Sequence, residues 1–160
     1  MGSGETAPTM VTTHRMLAAK LPKPARATLL DTPYGFQENA PELATKAVDY
    51  FKTSINIELD VAGLTQVIGA DVLAVERGLQ LVSDAQYVFA GPGSPTYALR
   101  QWAGTPLAGL LTKKLRDGGI VTFASAAALT LGRFTLPVYE IYKVGEEPRW
   151  LEGLNILGEI

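Results

Sequence analysis

Short apolar runs alternate with longer amphipathic stretches along most of this chain, and loops containing glycine or proline separate them. A short apolar run is typical of a buried strand, whereas apolar residues spaced three or four apart are typical of a helix. Alternating strands and helices favour a parallel sheet, because parallel neighbours need a crossover connection between them. We therefore predict an α/β fold of three layers, in which a mostly parallel sheet carries helices on both faces.

The boundaries of the predicted elements follow from the same pattern and from the caps and breakers at its ends. The predicted strands are residues 27–31, 55–61, 86–90, 120–124 and 138–144, with a short one at 154–157. The predicted helices are residues 7–21, 41–53, 70–83, 95–102 and 106–117. No repeat or domain boundary interrupts this pattern, so residues 1–160 are predicted to form one domain.

The composition narrows the classes of function. With 160 residues, 47% of them hydrophobic and 19% charged, the chain is long and apolar enough to bury a sizeable core. Its formal net charge of −2 lacks the basic surplus that nucleic-acid binding needs. No apolar run approaches the roughly 18 residues that a membrane span requires. We therefore predict neither a nucleic-acid partner nor a membrane partner, and we take a cytoplasmic location as the default expectation.

The available residue types limit the chemistry further. The chain has no cysteine, which excludes disulfides, thiolate metal sites and a cysteine nucleophile. Its one histidine, His14, cannot by itself form a zinc site of several histidines. No phosphate-binding glycine motif is present. We predict neither a metal nor a cofactor, and we expect His14 to be a surface or partly buried helix residue rather than a catalytic one.

The stretch from Gly118 to Gly132 has the pattern of a nucleophile elbow, a sharp strand-to-helix turn that exposes a serine. A predicted strand leads directly into Ser125, and alanines flank this serine on both sides, as the crowded turn requires. A helix start just after the serine would offer free backbone N–H groups to an oxyanion. The alternative is a buried strand followed by a serine cap and an alanine-rich core helix, since serine often caps helices.

Three loops are predicted to meet where ligands gather in such folds, beyond the carboxyl ends of the parallel strands. They are the loop over residues 2–6, the turn over residues 91–95, and the turn at Ser125. A glycine-rich loop that opens a helix can hold an anion with its N–H groups. The alternative is that these glycines only make tight turns.

Four segments, taken in order, resemble a known family. They are GSGE before the first helix, AGPGSPTYALRQW at the end of a strand, TPLAGLL at the start of a helix, and RDGGIVTFASAAALTLG. Together they are similar to the serine peptidases of the cyanophycinase and dipeptidase E type, within the class I glutamine amidotransferase-like superfamily. The resemblance covers nearly the whole chain and implies the flavodoxin-like fold of that superfamily.

The resemblance implies a nucleophile and an oxyanion site. Ser125 stands at the nucleophile position, where it would attack the carbonyl of a small peptide or amide substrate and form an acyl-enzyme. The N–H of Ala126, together with an N–H from Gly93 or Ser94, would hold the oxyanion.

Two acidic residues gain roles from the same resemblance. Glu140 follows Ser125 by about fifteen positions, as an acidic residue of the family does, and it would orient the catalytic histidine. Glu5 would lie near Ser125 and the substrate. The alternatives are a solvated strand residue for Glu140 and a favourable charge at a helix N-terminus for Glu5.

The sequence also departs from the family pattern. Phe123 and Ala127 stand where the family has glycine, two positions before and two after the serine. The family's histidine is expected beyond Ile160 and its first strand before Gly2, so we expect the domain to be incomplete at both ends and nearly inactive alone. If Met1–Gly4 is instead a remnant of cloning, the match at this end is accidental and Glu5 has no role.

Two functions follow as hypotheses. One is a serine hydrolase that cleaves a peptide or isopeptide bond. The other is a non-catalytic or differently acting member of the superfamily that keeps the elbow as a scaffold, an idea that Phe123 and Ala127 favour. A histidine shortly after Ile160 would favour hydrolysis. Homodimer formation is left open.

Overall fold

A computed structural model describes residues 1–158 and places four parallel strands in one sheet, namely β1 (Ala27–Leu29), β2 (Leu59–Val61), β3 (Tyr87–Ala90) and β4 (Ile120–Phe123). Their order in the sheet is β2-β1-β3-β4. Ala27 lies between Leu59 of β2 and Tyr87 of β3, and Tyr87 in turn lies beside Ile120 of β4. This parallel sheet confirms the predicted fold class. A separate antiparallel pair is formed by β5 (Phe134–Thr135) and β6 (Leu151–Glu152).

Helices connect the strands, as the parallel topology requires. The α-helices are α1 (Val11–Ala18), α2 (Ala40–Tyr50), α3 (Val72–Asp84), α4 (Pro95–Trp102), α5 (Leu107–Arg116), α6 (Ser125–Leu129) and α7 (Val138–Val144). Short 3₁₀ turns cover Pro8–Met10 and Thr32–Tyr34, and one π-helical turn covers Phe51–Ile55. Within residues 1–158, each helix is too short or too polar to cross a membrane.

The sheet separates two buried cores, because successive side chains of a strand point to opposite faces. On one face, Leu29 and Phe89 pack with Phe51 and with side chains of α1 and α2. On the other face, Leu30 and Val88 belong to the core that receives α3, α4, α5 and α6. Helices therefore cover both faces, as predicted.

Residues 138–144, predicted as a strand, form helix α7 instead. The alternating stretch is too short there to distinguish the two-residue period of a strand from the roughly 3.6-residue period of a helix. The signals at the ends decide: Pro137 occupies the N-cap, and Gly145 ends the helix in the left-handed conformation at φ 77°. Both residues are typical helix boundaries, and they outweigh the short alternating pattern between them.

Two further strand predictions need correction. Of residues 55–61, only Leu59–Val61 pair as a strand, because α2 runs on through the π-helical turn to Ile55. Asn56 then ends this helical segment with φ 61°, a conformation that asparagine tolerates well. Residues 154–157 form no strand; β6 lies just before them.

Candidate active site

Ser125 lies at the junction between β4 and α6 with a backbone φ of +50°. A residue with a side chain seldom adopts this left-handed conformation, which costs of the order of 1 kcal/mol or more. Ala124 before it is extended, with φ −132° and ψ 159°, so the chain turns sharply at the serine. The predicted elbow geometry of Ser125 is confirmed.

The three predicted loops come together around this turn. The N–H of Ser125 donates to the carbonyl of Gly2 at 2.8 Å, and the N–H of Ala127 donates to the carbonyl of Gly91 at 3.2 Å. The ammonium group of Met1 donates to the carbonyl of Phe123 at 2.7 Å. The amino-terminal segment therefore lies along the outer edge of β4, beside the serine.

Ser125 is half-buried and lines a cleft of about 430 Å³. The amino-terminal segment, the 91–95 turn, α6 and α7 form its walls. The other lining residues are Met1, Gly2, Ser3, Gly93, Ala126, Ala128, Leu129, Val138, Tyr139, Tyr142 and Lys143. A cleft of this size lies within the range of small-ligand sites.

The two departures from the family pattern are accommodated within the core behind the elbow. Phe123 and Ala127, at 2% and 0% exposure, both belong to the core on the α3–α6 side of the sheet. The ring of Phe123 lies 6.2 Å from that of Trp102, centroid to centroid. Larger residues at these two positions are therefore compatible with the sharp turn at Ser125.

Backbone N–H groups near the serine differ in their availability. The N–H of Ser94 donates to the carbonyl of Pro33 at 2.8 Å, so it is already occupied. Among residues 1–158, no acceptor is found for the N–H of Ala126 or that of Gly93. Of the two alternatives predicted for the second oxyanion donor, Gly93 is the one with a free N–H group.

Gly93 lies very close to the chain segment that follows β1. Its φ is +134°, and a Cβ atom at this position would lie 1.9 Å from the carbonyl oxygen of Pro33. Only glycine permits this approach. The contact fixes the 91–95 turn against the 3₁₀ turn Thr32–Tyr34.

The carboxylate of Glu140 connects α7 to the start of α4. The hydroxyl of Ser94 donates to Oε1 at 2.7 Å, and that of Thr96 donates to Oε2 at 3.0 Å. The Ser94 Oγ also accepts the N–H of Tyr97 at 2.9 Å and so caps α4. Glu140 and Ser94 are thus brought together from positions 46 residues apart, whereas Thr96 has no signal in the sequence beyond its place in a helix start.

A second cavity, of about 240 Å³, adjoins this contact, and no pattern in the sequence predicts it. The ring of Phe36 lies 5.1 Å from that of Tyr97 and 5.0 Å from that of Tyr139, centroid to centroid. Tyr139 lines this cavity and the serine cleft alike. These three aromatic residues belong to different elements, so no local pattern predicts their meeting.

His14 is buried completely, at 0% exposure, and the expectation of a surface or partly buried residue is wrong. Its Nε2 lies 2.8 Å from the carbonyl oxygen of Glu5, which can only accept, so Nε2 carries the proton. Its Nδ1 then accepts from the hydroxyl of Tyr87 at 2.7 Å, and that hydroxyl accepts from Thr122 at 3.0 Å. Burial lowers the pKa of His14, which favours this neutral form.

Glu5 lies between this network and the 91–95 turn. Its residue exposure is 8%, and its Oε1 would be 3.0 Å from a Cβ atom placed on Gly91. Glu5 lines a third, smaller cavity of about 110 Å³. Within residues 1–158, no group of three or more carboxylate and imidazole side chains converges as a metal site would require.

Comparisons with known proteins identify the fold. The sequence matches no family model, and no curated protein is significantly similar to it. The structure is similar to that of a peptidase from an acI-B1 Actinobacterium, with a TM-score of 0.79 and 20% sequence identity; the match covers 98% of this chain and 63% of that one. It is also similar to a protein assigned as a peptidase E from Listeria monocytogenes EGD-e, with a TM-score of 0.55 and 12% identity, over 91% of this chain and 70% of that one.

These likenesses show a peptidase E-like α/β fold. The chain spans about 63% of the length of the actinobacterial peptidase. Identities of 20% and 12% carry no residue roles, because one fold hosts many functions.

Proposed function

We propose that this protein is a serine hydrolase of the dipeptidase E and cyanophycinase type, which cleaves a peptide or amide bond through an acyl-enzyme on Ser125. The observation that carries the proposal is the φ of +50° at Ser125, at a strand-to-helix turn that opens onto a cleft. Backbone strain of this kind persists only where the surrounding structure holds it, and it is found mostly at functional sites.

In the proposed reaction, Ser125 Oγ forms a bond to the substrate carbonyl carbon as its proton passes to a general base. The carbonyl π electrons move to oxygen, and the N–H groups of Ala126 and Gly93 stabilise the resulting oxyanion. Removing one such donor costs about 3 kcal/mol of barrier in comparable sites. The amine leaves with the base's proton, and water then hydrolyses the acyl-enzyme.

The general base is not His14, the only histidine of the 160 residues. Both nitrogens of its ring are engaged, with the Glu5 carbonyl and with Tyr87. We propose that Glu140 orients a catalytic imidazole, because each of its oxygens accepts one hydroxyl and keeps a further lone pair. Because the one imidazole of these 160 residues is engaged elsewhere, they should hydrolyse substrate slowly.

Hydrolysis of aminoacyl and dipeptidyl aminocoumarin amides tests the proposal. The product of the complete natural reading frame is expected to release the coumarin, and Ser125→Ala should lower kcat by about 10⁴-fold or more. Ser83→Ala, a change at an exposed serine of α3, is the matched control and should leave kcat unchanged. Retained activity in a folded Ser125→Ala variant would overturn the proposed role of the serine.

The second candidate is a non-catalytic member of the fold that keeps the elbow as a scaffold. The observation in its favour is that Phe123 and Ala127, on either side of the turn, are both buried in the core. The turn therefore has a structural role of its own. A folded protein that binds substrate analogues and releases no coumarin would favour this candidate.

A further inference from the structure

The cavity of about 240 Å³ beside Glu140 has three aromatic side chains in its walls, and we refer to it as the aromatic cavity. Phe36 comes from the loop after β1, Tyr97 from α4 and Tyr139 from α7. The ring of Phe36 packs against both tyrosine rings, and Val144 adds an aliphatic side chain from the end of α7. Phe36 and Val144 are 38% and 70% exposed, so an apolar group that covered them would be stabilised.

The polar groups in these walls are bonded largely within the protein. The Glu140 carboxylate accepts the hydroxyls of Ser94 and Thr96. The hydroxyl of Tyr97 donates to the carbonyl of Thr65 at 2.7 Å. A polar ligand group in the cavity would therefore lose its hydrogen bonds to water and gain few in return, which disfavours it.

Two opposite charges in the walls disfavour a charged ligand group. The guanidinium carbon of Arg100 lies 5.5 Å from the centre of the Tyr97 ring, and Glu140 contributes a carboxylate. A cation that paired with Glu140 would be repelled by Arg100, and an anion that paired with Arg100 would be repelled by Glu140. The walls therefore favour an uncharged occupant.

The size of the aromatic cavity suits one large side chain. Sites for drug-sized ligands start at about 300 Å³, and this cavity is smaller. Among uncharged side chains, an aromatic ring buries the most apolar area, and its edge is attracted to the faces of neighbouring rings. The three aromatic residues of the walls therefore match an aromatic occupant best.

The aromatic cavity adjoins the cleft of Ser125. Tyr139 lines both of them. Ser94 lines the cavity, and the preceding residue, Gly93, lines the cleft. A substrate residue whose carbonyl group lies at Ser125 can therefore extend its own side chain past Tyr139 into the cavity.

We infer that the aromatic cavity is a specificity subsite for an uncharged aromatic side chain, such as that of phenylalanine, on the residue whose carbonyl group is attacked. As a subsite of the substrate, the inference rests on the proposed function. Binding of an aromatic group in the cavity does not depend on catalysis, so the two can fail separately.

Amide NMR titration of the ¹⁵N-labelled protein with N-acetylphenylalaninamide tests the binding. This ligand should shift the amide signals of Tyr97 and Tyr139, and N-acetylalaninamide, which lacks only the phenyl ring, should bind about 10-fold more weakly or worse. Phe36→Ala should weaken binding of the phenylalanine ligand by about 5-fold or more. Equal binding of the two ligands by the unchanged protein would overturn the inference.

Phe134→Ala is the matched control for Phe36→Ala. Phe134 is also an exposed phenylalanine, at 53%, but it does not line the aromatic cavity. Its variant should bind as the unchanged protein does. If Phe36→Ala does not fold, Val144→Asp replaces it, because Val144 is exposed and the new carboxylate would oppose an apolar ligand. Undiminished binding by a folded variant at either cavity position would overturn the inference.

Two charged ligands and free imidazole separate the other possible occupants. The amides of N-acetylaspartic acid and Nα-acetyl-lysine carry a negative and a positive side chain, and imidazole is the ring that we assign to Glu140. All three should shift Tyr97 and Tyr139 at higher concentrations than the phenylalanine ligand does. Tighter binding of any of them at these amides would overturn the assignment to an uncharged aromatic side chain.

Hydrolysis kinetics place the subsite in the reaction. The kcat/KM for phenylalanyl aminocoumarin amide should exceed that for the alanyl amide by about 10-fold or more, and Phe36→Ala should reduce this ratio. Hydrolysis of both amides with equal kcat/KM would overturn the subsite and leave the proposed hydrolase intact. Binding of the phenylalanine ligand without hydrolysis of either amide would refute the hydrolase and leave the aromatic binding site.

Discussion

A neutral imidazole holds the main chain of Glu5 in place from inside the protein. His14 reaches the Glu5 carbonyl from α1, and the hydroxyl of Tyr87 connects it to Thr122 of β4. The ring is surrounded by aromatic side chains, with Phe51 at 5.1 Å between centroids. This single residue therefore links the amino-terminal loop of the candidate site to two strands of the sheet.

The burial of His14 predicts a pH-dependent stability. Its pKa in the folded protein is below the ordinary value of 6.5, so the unfolded chain binds the proton more readily. Titration of His14 should leave the free energy of unfolding unchanged above about pH 7.5 and should lower it as the pH drops below 6.5. Urea unfolding at pH 7.5 and at pH 5.5 measures this change.

His14→Gln is the control, because its amide can still donate to the Glu5 carbonyl and accept from Tyr87 but does not titrate. Asp31, whose pKa burial raises, is present in both proteins, so its effect cancels in the comparison. The loss of stability between pH 7.5 and pH 5.5 should be smaller in the variant. Identical losses in the two proteins would refute this explanation.

At the level of single residues, the sequence is informative where a local constraint dominates. The turn at Ser125 was predictable as one of two alternatives, because small residues surround a serine at the end of an apolar run. The burial of His14 was not predictable, because Phe51 and Phe89, which enclose it, come from distant parts of the chain. The hydroxyl donors to Glu140 were not predictable either, because Ser94 and Thr96 lie 46 and 44 residues away along the chain.

The positions of the helices and strands around the site depend on how closely the turns between them can approach one another. The 91–95 turn leads from β3 into α4 and lies against the turn after β1, and Gly93 makes the contact. The turn also carries the proposed oxyanion donor. The position of this turn therefore depends on the close approach of Gly93 to the Pro33 carbonyl group, which a side chain at residue 93 would prevent.

Gly93→Ala should destabilise the protein far more than an ordinary glycine substitution. The new methyl group would lie 1.9 Å from the Pro33 carbonyl oxygen, so the turn has to move. Gly104→Ala is the matched control, because Gly104 also has a positive φ, +74°, but nothing within 4 Å of its Cβ position. We expect about 1 kcal/mol of destabilisation for Gly104→Ala and at least about 2 kcal/mol more for Gly93→Ala.

Urea unfolding of the two variants measures the difference between them. Similar losses in both would show that the positive φ alone matters and that the contact with Pro33 is loose. The turn would then not be fixed by the segment after β1, and Gly93 would be a weaker candidate for the oxyanion donor.

Element types were predictable where the end signals and the apolar period agreed. Helix α4 begins at Pro95 after the Ser94 cap and ends at Trp102, as predicted. Residues 138–144 were misassigned because seven residues fit both periods, and the tertiary contact of Glu140 with α4 then favours the helix. β2 was predicted too long because the helical segment before it continues to Ile55.

The whole molecule is a three-layer α/β structure, and the candidate site lies at the carboxyl ends of the sheet's strands. The parallel order β2-β1-β3-β4 places the ends of β3 and β4 side by side, with Ala90 opposite Phe123. The turn after β3 and the elbow after β4 therefore become neighbours through topology alone. This arrangement was predictable from the alternation of strands and helices, whereas the cavities between the loops depend on side chains that no local pattern places.

Site-mapped labelling by a fluorophosphonate probe tests the central claim, that Ser125 is an activated nucleophile, most directly. The product of the complete natural reading frame should gain one phosphonyl group, and peptide mapping by mass spectrometry should locate it on Ser125. Labelling at another residue, or no labelling of the folded protein, would contradict the account.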